Sequence, residues 1–375
     1  MFANTDLHIH SRFSMASSPD MVPGALVGAC IKKGIQVLGS GDALHPGWQK
    51  LWEEYQWHDK GVIVVPSTEV EDRDRVHQVI LMESFSDFSE LHSRLKTFSK
   101  DIATGGRPHV RLSGEELAGH VHEIGGLIGP AHAFTPWTSL YAYFDRLSEC
   151  YGTETIDFLE LGLSADSSYG AAISELYDIP FITNSDAHSP DPAKCGREFT
   201  TFDIKSLTVK NVLSALKNGN IQRNVGLFPE EGKYNRTACT RCFQKYTPEE
   251  AAAYHWRCPL DNGLIKLGVF DRAQGLSDGK PGPRPPYLHM IPLGEIIMAS
   301  LNVSSTKTKK ALGLYNELIG TFGNEIDVLT STPVSEIREV HEGTAGAIDA
   351  FRNHRVSLHP GGGGQYGTFT LLPSS

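Results

Sequence analysis

Residues 5–10 read Thr-Asp-Leu-His-Ile-His, and residues 180–188 read Pro-Phe-Ile-Thr-Asn-Ser-Asp-Ala-His. Each stretch carries two ligating side chains separated by one residue, at or just after a run with strand character. Along an extended chain, residues two apart point to the same side. His8 and His10 can therefore reach one point, and Asp186 and His188 can do the same. Working outward, further strand-like runs occupy 36–40, 61–66, 76–82, 127–131 and 156–162, many of them rich in Val and Ile. Nearly continuous apolar runs suit strands covered on both faces. Helical patterns at 22–33, 49–60, 87–100 and 113–123 lie between them. The last opens with Ser113 three residues before Glu116, the pattern of a capping box. Seven strands alternating with helices predict an α/β domain with a parallel sheet, closed or nearly closed into a barrel.

The runs share a second property. Asp42 and His45 follow the second, Glu69 follows the third, His77 lies in the fourth, His132 follows the fifth and Glu160 lies in the sixth. A barrel gathers its active-site groups at strand ends, so these residues and the two pairs are expected to converge. Mixed imidazole and carboxylate ligands suit Zn, Mn or Fe and hold Mg more weakly. The set exceeds the three or so protein ligands of one catalytic zinc, so two or three divalent ions are expected. Ion clusters of this kind activate water and stabilise phosphoryl oxygens. Asp186 and His188 are the pair on which catalysis is expected to depend, with Arg12 and Ser14 placed to touch a phosphate.

Beyond residue 228 the alternation stops. Cys239, Cys242 and Cys258 cluster, whereas Cys30, Cys150 and Cys195 are isolated. Clustering of this kind reads as metal binding, not as a disulfide framework. Cys239-x-x-Cys242 supplies two ligands from one turn and Cys258 a third. Asp261 stands where a fourth Cys is usual, and His255 competes for the position. A structural zinc would fold a segment too small to build its own core. A Gly/Pro-rich joint at 279–286 cannot be helical. After it come helical patterns at 293–301, 309–322 and 334–353, then short strands at 356–358 and 368–371 around Gly361–Gly364. The division expected is 1–228, 229–280 and 281–375.

The chain has 375 residues, a formal net charge of −10 and 40% hydrophobic residues, which describes a globular protein. No signal peptide or membrane-spanning run is evident, so a cytoplasmic protein without a membrane partner is expected. Residues 229–310 carry 12 Lys and Arg against 8 Asp and Glu, a locally basic stretch in an acidic chain. Lys233, Arg236, Arg241 and Lys245, with Arg257, are its candidates for meeting a phosphate backbone. Trp137, Tyr287 and Tyr366 are candidates for stacking on bases.

The segments DLHIHS, GSGDALHP, STEVE, GPAHAFTPW and NSDAHSP resemble the polymerase-and-histidinol-phosphatase (PHP) phosphoesterases. The resemblance implies a distorted (β/α)7 barrel, here followed by the small zinc-binding module and a mainly helical C-terminal domain. It implies a multinuclear metal site built from His8, His10, Asp42, Glu69, His77, His132, Asp186 and His188, with Glu160 at a more variable position. Ala43 departs from the pattern, since many members have His directly after the Asp, and His45 is the nearby substitute. ALHPGW, AHAFTPW, LGLSAD, Gly196-Arg197-Glu198, FPEEGKY, the PPY at 285–287 and the closing PG…YG are similar to the endonuclease Q family. That likeness runs along nearly the whole chain. It implies a DNA-repair endonuclease that nicks 5′ to deaminated bases (hypoxanthine, uracil, xanthine) or abasic sites in damaged DNA, with Mg supporting activity. A PHP phosphatase acting on a small monoester such as histidinol phosphate is the alternative, and a non-catalytic DNA-binding protein is a third reading. No segment identifies a sliding clamp or another repair partner.

Overall fold

The computed structural model describes residues 1–57 and 60–372. Its first strand, β1 (Phe2–Asp6), pairs in parallel with β2 (Val37–Gly39), and β2 pairs in parallel with β3 (Ile63–Val65). After Pro66 the chain continues as β4 (Ser67–Glu71), which turns tightly into β5 (His77–Leu81). Then come β6 (Leu127–Pro130), β7 (Leu159–Glu160) and β8 (Phe181–Ile182), with β7 and β8 parallel. The ring closes where Ile9 bridges Ala187 in parallel and Asp186 N donates to the His8 carbonyl at 3.0 Å. One buried cluster draws Leu7, Val37, Val65, Val79, Leu127, Phe158 and Ile182 from or beside seven strands of the ring, as a packed barrel interior requires.

All seven strand-like runs contain strands. The parallel arrangement does not hold throughout. β5 is antiparallel to both β4 and β6, and the apolar pattern does not separate β4 from the third run. The cause is local. Asp72 accepts from Asp74 N and Val76 N at 2.9 Å each, making a turn too short for a parallel crossover, which needs a dozen or more residues. Outside the ring, β9 (Phe199–Asp203) pairs antiparallel to β1, and β10 (Ile221–Gly226) pairs antiparallel to β9.

The barrel helices form where the sequence patterns place them, with shifted ends. Helix α1 (Pro23–Lys33) starts with proline at its first position and stops at Gly34, whose φ of 94° closes it. Helix α2 (Pro46–Tyr55) starts three residues before the expected segment, which also runs into residues outside those described. Next come α3 (Phe85–Leu95) and α4 (Gly114–His122). The capping box of α4 is present: Glu116 N donates to Ser113 Oγ at 3.2 Å, and Ser113 N to Glu116 Oε2 at 2.8 Å.

The helices Leu293–Ser300, Lys309–Phe322 and Glu325–Thr330 pack with α1 and α2 in one apolar core, which includes Leu26, Trp48, Trp52, Ile296, Leu318 and Leu329. The stretch 334–353 is two helices, Val334–Val340 and Glu342–Arg352, broken at His341. The proline-rich joint is irregular, as expected, but it is pinned. Arg284 stacks 3.6 Å from the centre of the Phe181 ring and donates to the carbonyls of Ile179 and Leu176. The C-terminal hairpin, Val356–His359 with Thr368–Leu371, sends its connection toward the mouth of the barrel, where Gly362 bridges Arg236.

Candidate metal centre

The site is assembled where the strands run out. β1 ends at Asp6, and the extended residues that follow carry both histidines inward: His8 is 3% exposed and His10 fully buried. Asp42, His132 and Asp186 follow the ends of β2, β6 and β8 and have φ of 45°, 33° and 46°. Left-handed backbone is uncommon for non-glycine residues and clusters at functional sites. Here it turns His132 and Asp186 into the candidate metal groups and Asp42 onto the side of His10.

Glu69 is the hub. Its Oε1 lies 2.7 Å from His77 Nδ1, 3.1 Å from His132 Nε2 and 3.7 Å from His8 Nε2. Its Oε2 lies 3.4 Å from His10 Nε2 and accepts from Arg107 Nη1 at 3.0 Å. Asp186 Oδ1 is a second hub, 3.1 Å from His10 Nε2, 3.5 Å from His188 Nε2 and 3.8 Å from His8 Nε2. Three overlapping triads result: His8, His10 and Glu69; His10, Asp186 and His188; Glu69, His77 and His132. Within each, the ligand atoms lie within 4.8 Å of one another.

Asp42 and Glu160 occupy a different position. Asp42 Oδ1 is 3.3 Å from the outward-facing Nδ1 of His10, and its Oδ2 accepts from Ser11 N and Ser14 Oγ. Glu160 meets His8 Nδ1 at 2.9 Å and is itself held by Asn184 Nδ2 and His132 N. A carboxylate on the far ring nitrogen fixes the tautomer and orientation of a ligating imidazole. His45 accepts from Trp48 N at the start of α2 and stacks on Phe13, with ring centres 3.9 Å apart.

The donor set fits divalent cations. Among the described residues His8 Nε2 is a buried ring nitrogen without a hydrogen-bond partner, pointing between the Glu69 and Asp186 carboxylates. Burial alone would lower the His8 pKa, but Glu160, then Glu69 and Asp186, outweigh it and hold it up to about 9. Burial likewise opposes the charge on Glu69, which His77 and His132 nevertheless keep well below its usual range. Protons shared among buried imidazoles and carboxylates are what a binding cation displaces.

Beside the triads lies a cavity of about 330 Å³, lined by His132, Asp186 and His188 together with Arg197, Lys233, Trp137 and Tyr366. Lys233 Nζ stands 5.3 Å over the Tyr234 ring and 5.8 Å over Tyr366. Of the other four basic candidates, three make contacts within the chain: Arg236 stacks 3.9 Å from the Phe270 ring centre, Arg241 donates to the Asp261 carbonyl at 2.8 Å, and Lys245 donates to the Pro360 carbonyl, while Arg257 is exposed. Arg12 is exposed. Tyr287 lies away from the cavity lining, in the short strand Tyr287–His289 beside β10.

Known proteins of similar structure and sequence bear on this arrangement. Crystal structures of the lesion-specific endonuclease Q of Pyrococcus furiosus (TM-score 0.94, covering 99% of this chain and 96% of that one) and of an endonuclease Q complex with a 27-mer duplex bearing an abasic lesion at the active site (TM-score 0.95, covering 99% and 97%) are each 42% identical to it. The chain belongs to the endonuclease Q family. Its PHP-associated segment is matched at residues 170–221 and the MJ0043 C-terminal domain at 292–355. The uncharacterized protein YqxK of Bacillus subtilis is 32% identical, over 96% of this chain and 97% of its own length. MJ0043 of Methanocaldococcus jannaschii, also uncharacterized, is 39% identical over 71% of this chain, which spans only 36% of that relative's length.

In this endonuclease Q family member the residue that sequence reading missed is Arg107. It sits on an irregular loop with no periodicity, preceded by Gly105-Gly106. The loop is fixed against the site: Gly106 N donates to the Phe13 carbonyl, and a Cβ on Gly106 would lie 2.2 Å from Asp42 Oδ2. The pair of glycines before a basic residue was the available signal.

The second metal candidate is the cysteine module. Cys239, Cys242, Cys258 and Asp261 bring their ligand atoms within 4.8 Å of one another, with Cys239 Sγ 3.4 Å from Asp261 Oδ1 and Cys242 Sγ 3.6 Å from Cys258 Sγ. His255 is not part of that group.

Proposed function

We propose that this protein is a metal-dependent DNA-repair endonuclease that hydrolyses a phosphodiester bond at lesions in duplex DNA. The observation that carries the reading is one cavity with metal-binding side chains on its wall and cationic and aromatic side chains on its rim, in a chain alike along its length to endonuclease Q. The finer reading is a nick 5′ to deaminated bases (hypoxanthine, uracil, xanthine) or abasic sites.

His8, His10, Glu69, His77, His132, Asp186 and His188 would hold two or three divalent ions, Zn, Mn or Fe, with Mg supporting turnover. We include Asp42 and Glu160 in the set through the outer nitrogens of His10 and His8. When bound, such ions lower the pKa of a water and spread the charge on the attacked phosphate. The chain supplies the rest. Arg107, 28% exposed at its side chain and beside a fully buried Glu69, is the fixed cation nearest the cluster and meets a non-bridging phosphate oxygen. Arg197 and Lys233 take the neighbouring phosphate charge from the cavity rim, and exposed Arg12 remains a further candidate for a phosphate contact. Trp137 and Tyr366 offer π-faces to an extruded base. His188 Nδ1 lies 2.9 Å from Ser17 Oγ, which fixes its orientation at the mouth.

The cysteine module would carry one structural Zn. The six cysteines are free thiols, which suits the reducing cytoplasm we propose as the setting. Among the described residues no helix is long and apolar enough to cross a membrane.

A panel of end-labelled duplexes, each with one altered base, tests the reading with Mg, with Mn and with EDTA. Nicking should need a divalent ion and vanish in Asp186→Asn. Lesion-independent hydrolysis, or nicking that survives EDTA, would overturn it.

A further inference from the structure

A second cavity of about 430 Å³ opens between the barrel and the cysteine module. Its lining includes Phe134, Tyr141, Tyr143, Trp256, Lys266 and Arg272. It is the catalytic cavity's neighbour, because one segment of chain after β6 serves both. Thr135, Trp137 and Thr138 line the catalytic side, while Phe134, Pro136 and Tyr141 line the other. Adjacent residues are about 3.8 Å apart along the chain, so the two spaces lie within reach of consecutive units of one polymer.

The charges in this second cavity are not equivalent. Arg272 is committed: it donates to the carbonyls of Tyr141 and Phe144 and pairs with Asp145 at 2.6 Å. That pair also cancels the acid at the rim. Lys266 has no carboxylate within 4.0 Å among the described residues. Its Nζ lies 3.7 Å over the Trp137 ring, on the boundary between the two cavities. Burial pushes its pKa down, so a half-buried ammonium stands there without the counter-ion that would offset its desolvation. Aromatic surface is also open to solvent. Trp137 is 41% exposed and Tyr143 45% exposed. Trp256 is held with φ of 58°, a conformation a bulky residue rarely adopts, and its backbone bonds to Ala251 and Ile265 keep it there. Aromatic faces beside an unpaired cation are the chemistry that receives a nucleotide: the base stacks and the phosphate supplies the missing anion.

We propose that this second cavity is a nucleotide subsite. It takes one unpaired base of the substrate strand next to the nucleotide in the catalytic cavity, stacked against Tyr143 and Trp256, with the intervening phosphate on Lys266. The proposal rests on the reading that the substrate is DNA. It implies that binding unstacks two neighbouring nucleotides rather than one.

The test uses the full, metal-loaded chain and a uracil-containing duplex with a non-hydrolysable analogue of the phosphodiester 5′ to the uracil, so that binding is read without cleavage. 2-Aminopurine is placed one nucleotide to either side of the uracil. Binding of the unmodified protein should change the emission of one of the two probes. Tyr143→Ser and Lys266→Met should each suppress that change and weaken affinity for the duplex about tenfold, in line with the loss of one stacked base or one phosphate contact. Both substitutions lie outside the cysteine cluster, and an unaltered zinc content and melting temperature would show that the fold is intact. Affinity for short single-stranded oligothymidylate should fall in the same variants. If both probes stay silent, or if folded variants bind both DNAs as the unmodified protein does, the subsite is disproved. If the unmodified protein binds DNA and shows the probe change but nicks no lesion, the endonuclease reading fails while the subsite stands.

Discussion

Lys33 Nζ donates to Glu325 Oε1 at 2.6 Å, and both side chains are at most 2% exposed. The pair ties α1 of the barrel to the C-terminal helices. Glu325 also accepts from Tyr315 Oη and from Leu293 N, so both of its oxygens are engaged. Removing one member of a buried pair strands the other charge, at a cost of about 3–5 kcal/mol. Lys33→Met should lose roughly that much in urea unfolding. Lys33→Met combined with Glu325→Gln should recover much of it, because no charge is left without a partner. Equal losses in the single and double variants would show that the two residues are not coupled.

Arg107→Met should lower the single-turnover rate of lesion nicking about 10²–10³-fold, the usual cost of deleting one preorganised contact to developing charge. Metal content, read by elemental analysis, should not change, since the guanidinium only accompanies Glu69. Arg107→Lys should recover part of the rate, as a point charge without the fork. If metal is lost in proportion to activity, Arg107 holds Glu69 in place rather than touching phosphate.

What could be read in the sequence follows from what each feature encodes. His8 and His10 announce themselves because a period of two is a property of extended chain, independent of the rest of the fold. The seven strand-like runs are legible because burial on both faces demands uninterrupted apolar residues. Strand direction is not encoded in that pattern, so β5 runs against the expected sense. The short turn at Asp72 could have corrected one of its pairings, but the two helices between β5 and β6 hid the other. Glu160 and Asp42 read like Glu69 and Asp186, because a sequence does not show which ring nitrogen a carboxylate will meet. Arg107 belongs to an irregular loop, where placement depends wholly on tertiary contacts such as that of Gly106 with Asp42.

Burial pushes the Glu198 carboxyl up to about 8 against the hydrogen bond from Leu227 N. The unfolded chain releases that proton near pH 4.5, whereas the folded protein keeps it until about pH 8. Between those values the native state binds the extra proton. Stability from this group is therefore greatest below about pH 4.5 and falls by about 1.4 kcal/mol per pH unit until the folded pKa is passed. Glu198→Gln, neutral throughout, should flatten the decline between about pH 5 and 8 in urea titrations of metal-free protein. Parallel slopes for the two proteins would mean that Glu198 is ionised in the fold.

In the cysteine module, the ligand set can be decided by substitution. Gly263 N and the Cys239 thiol both approach Asp261 Oδ1, at 2.8 and 3.4 Å, so the carboxylate is already oriented toward the thiols. His255, at φ of 50°, follows a different turn. Asp261→Ala should therefore speed zinc release to a chromogenic chelator and lower the melting temperature, because the module's small core of Ala251, Ile265 and the buried cysteines depends on the ion. His255→Ala should release zinc no faster than the unmodified protein. Asp261→Cys should hold it more tightly, since a fourth thiolate completes an all-cysteine tetrahedron. Faster release from the His255 variant, with the Asp261 variants unchanged, would transfer the fourth position to the imidazole.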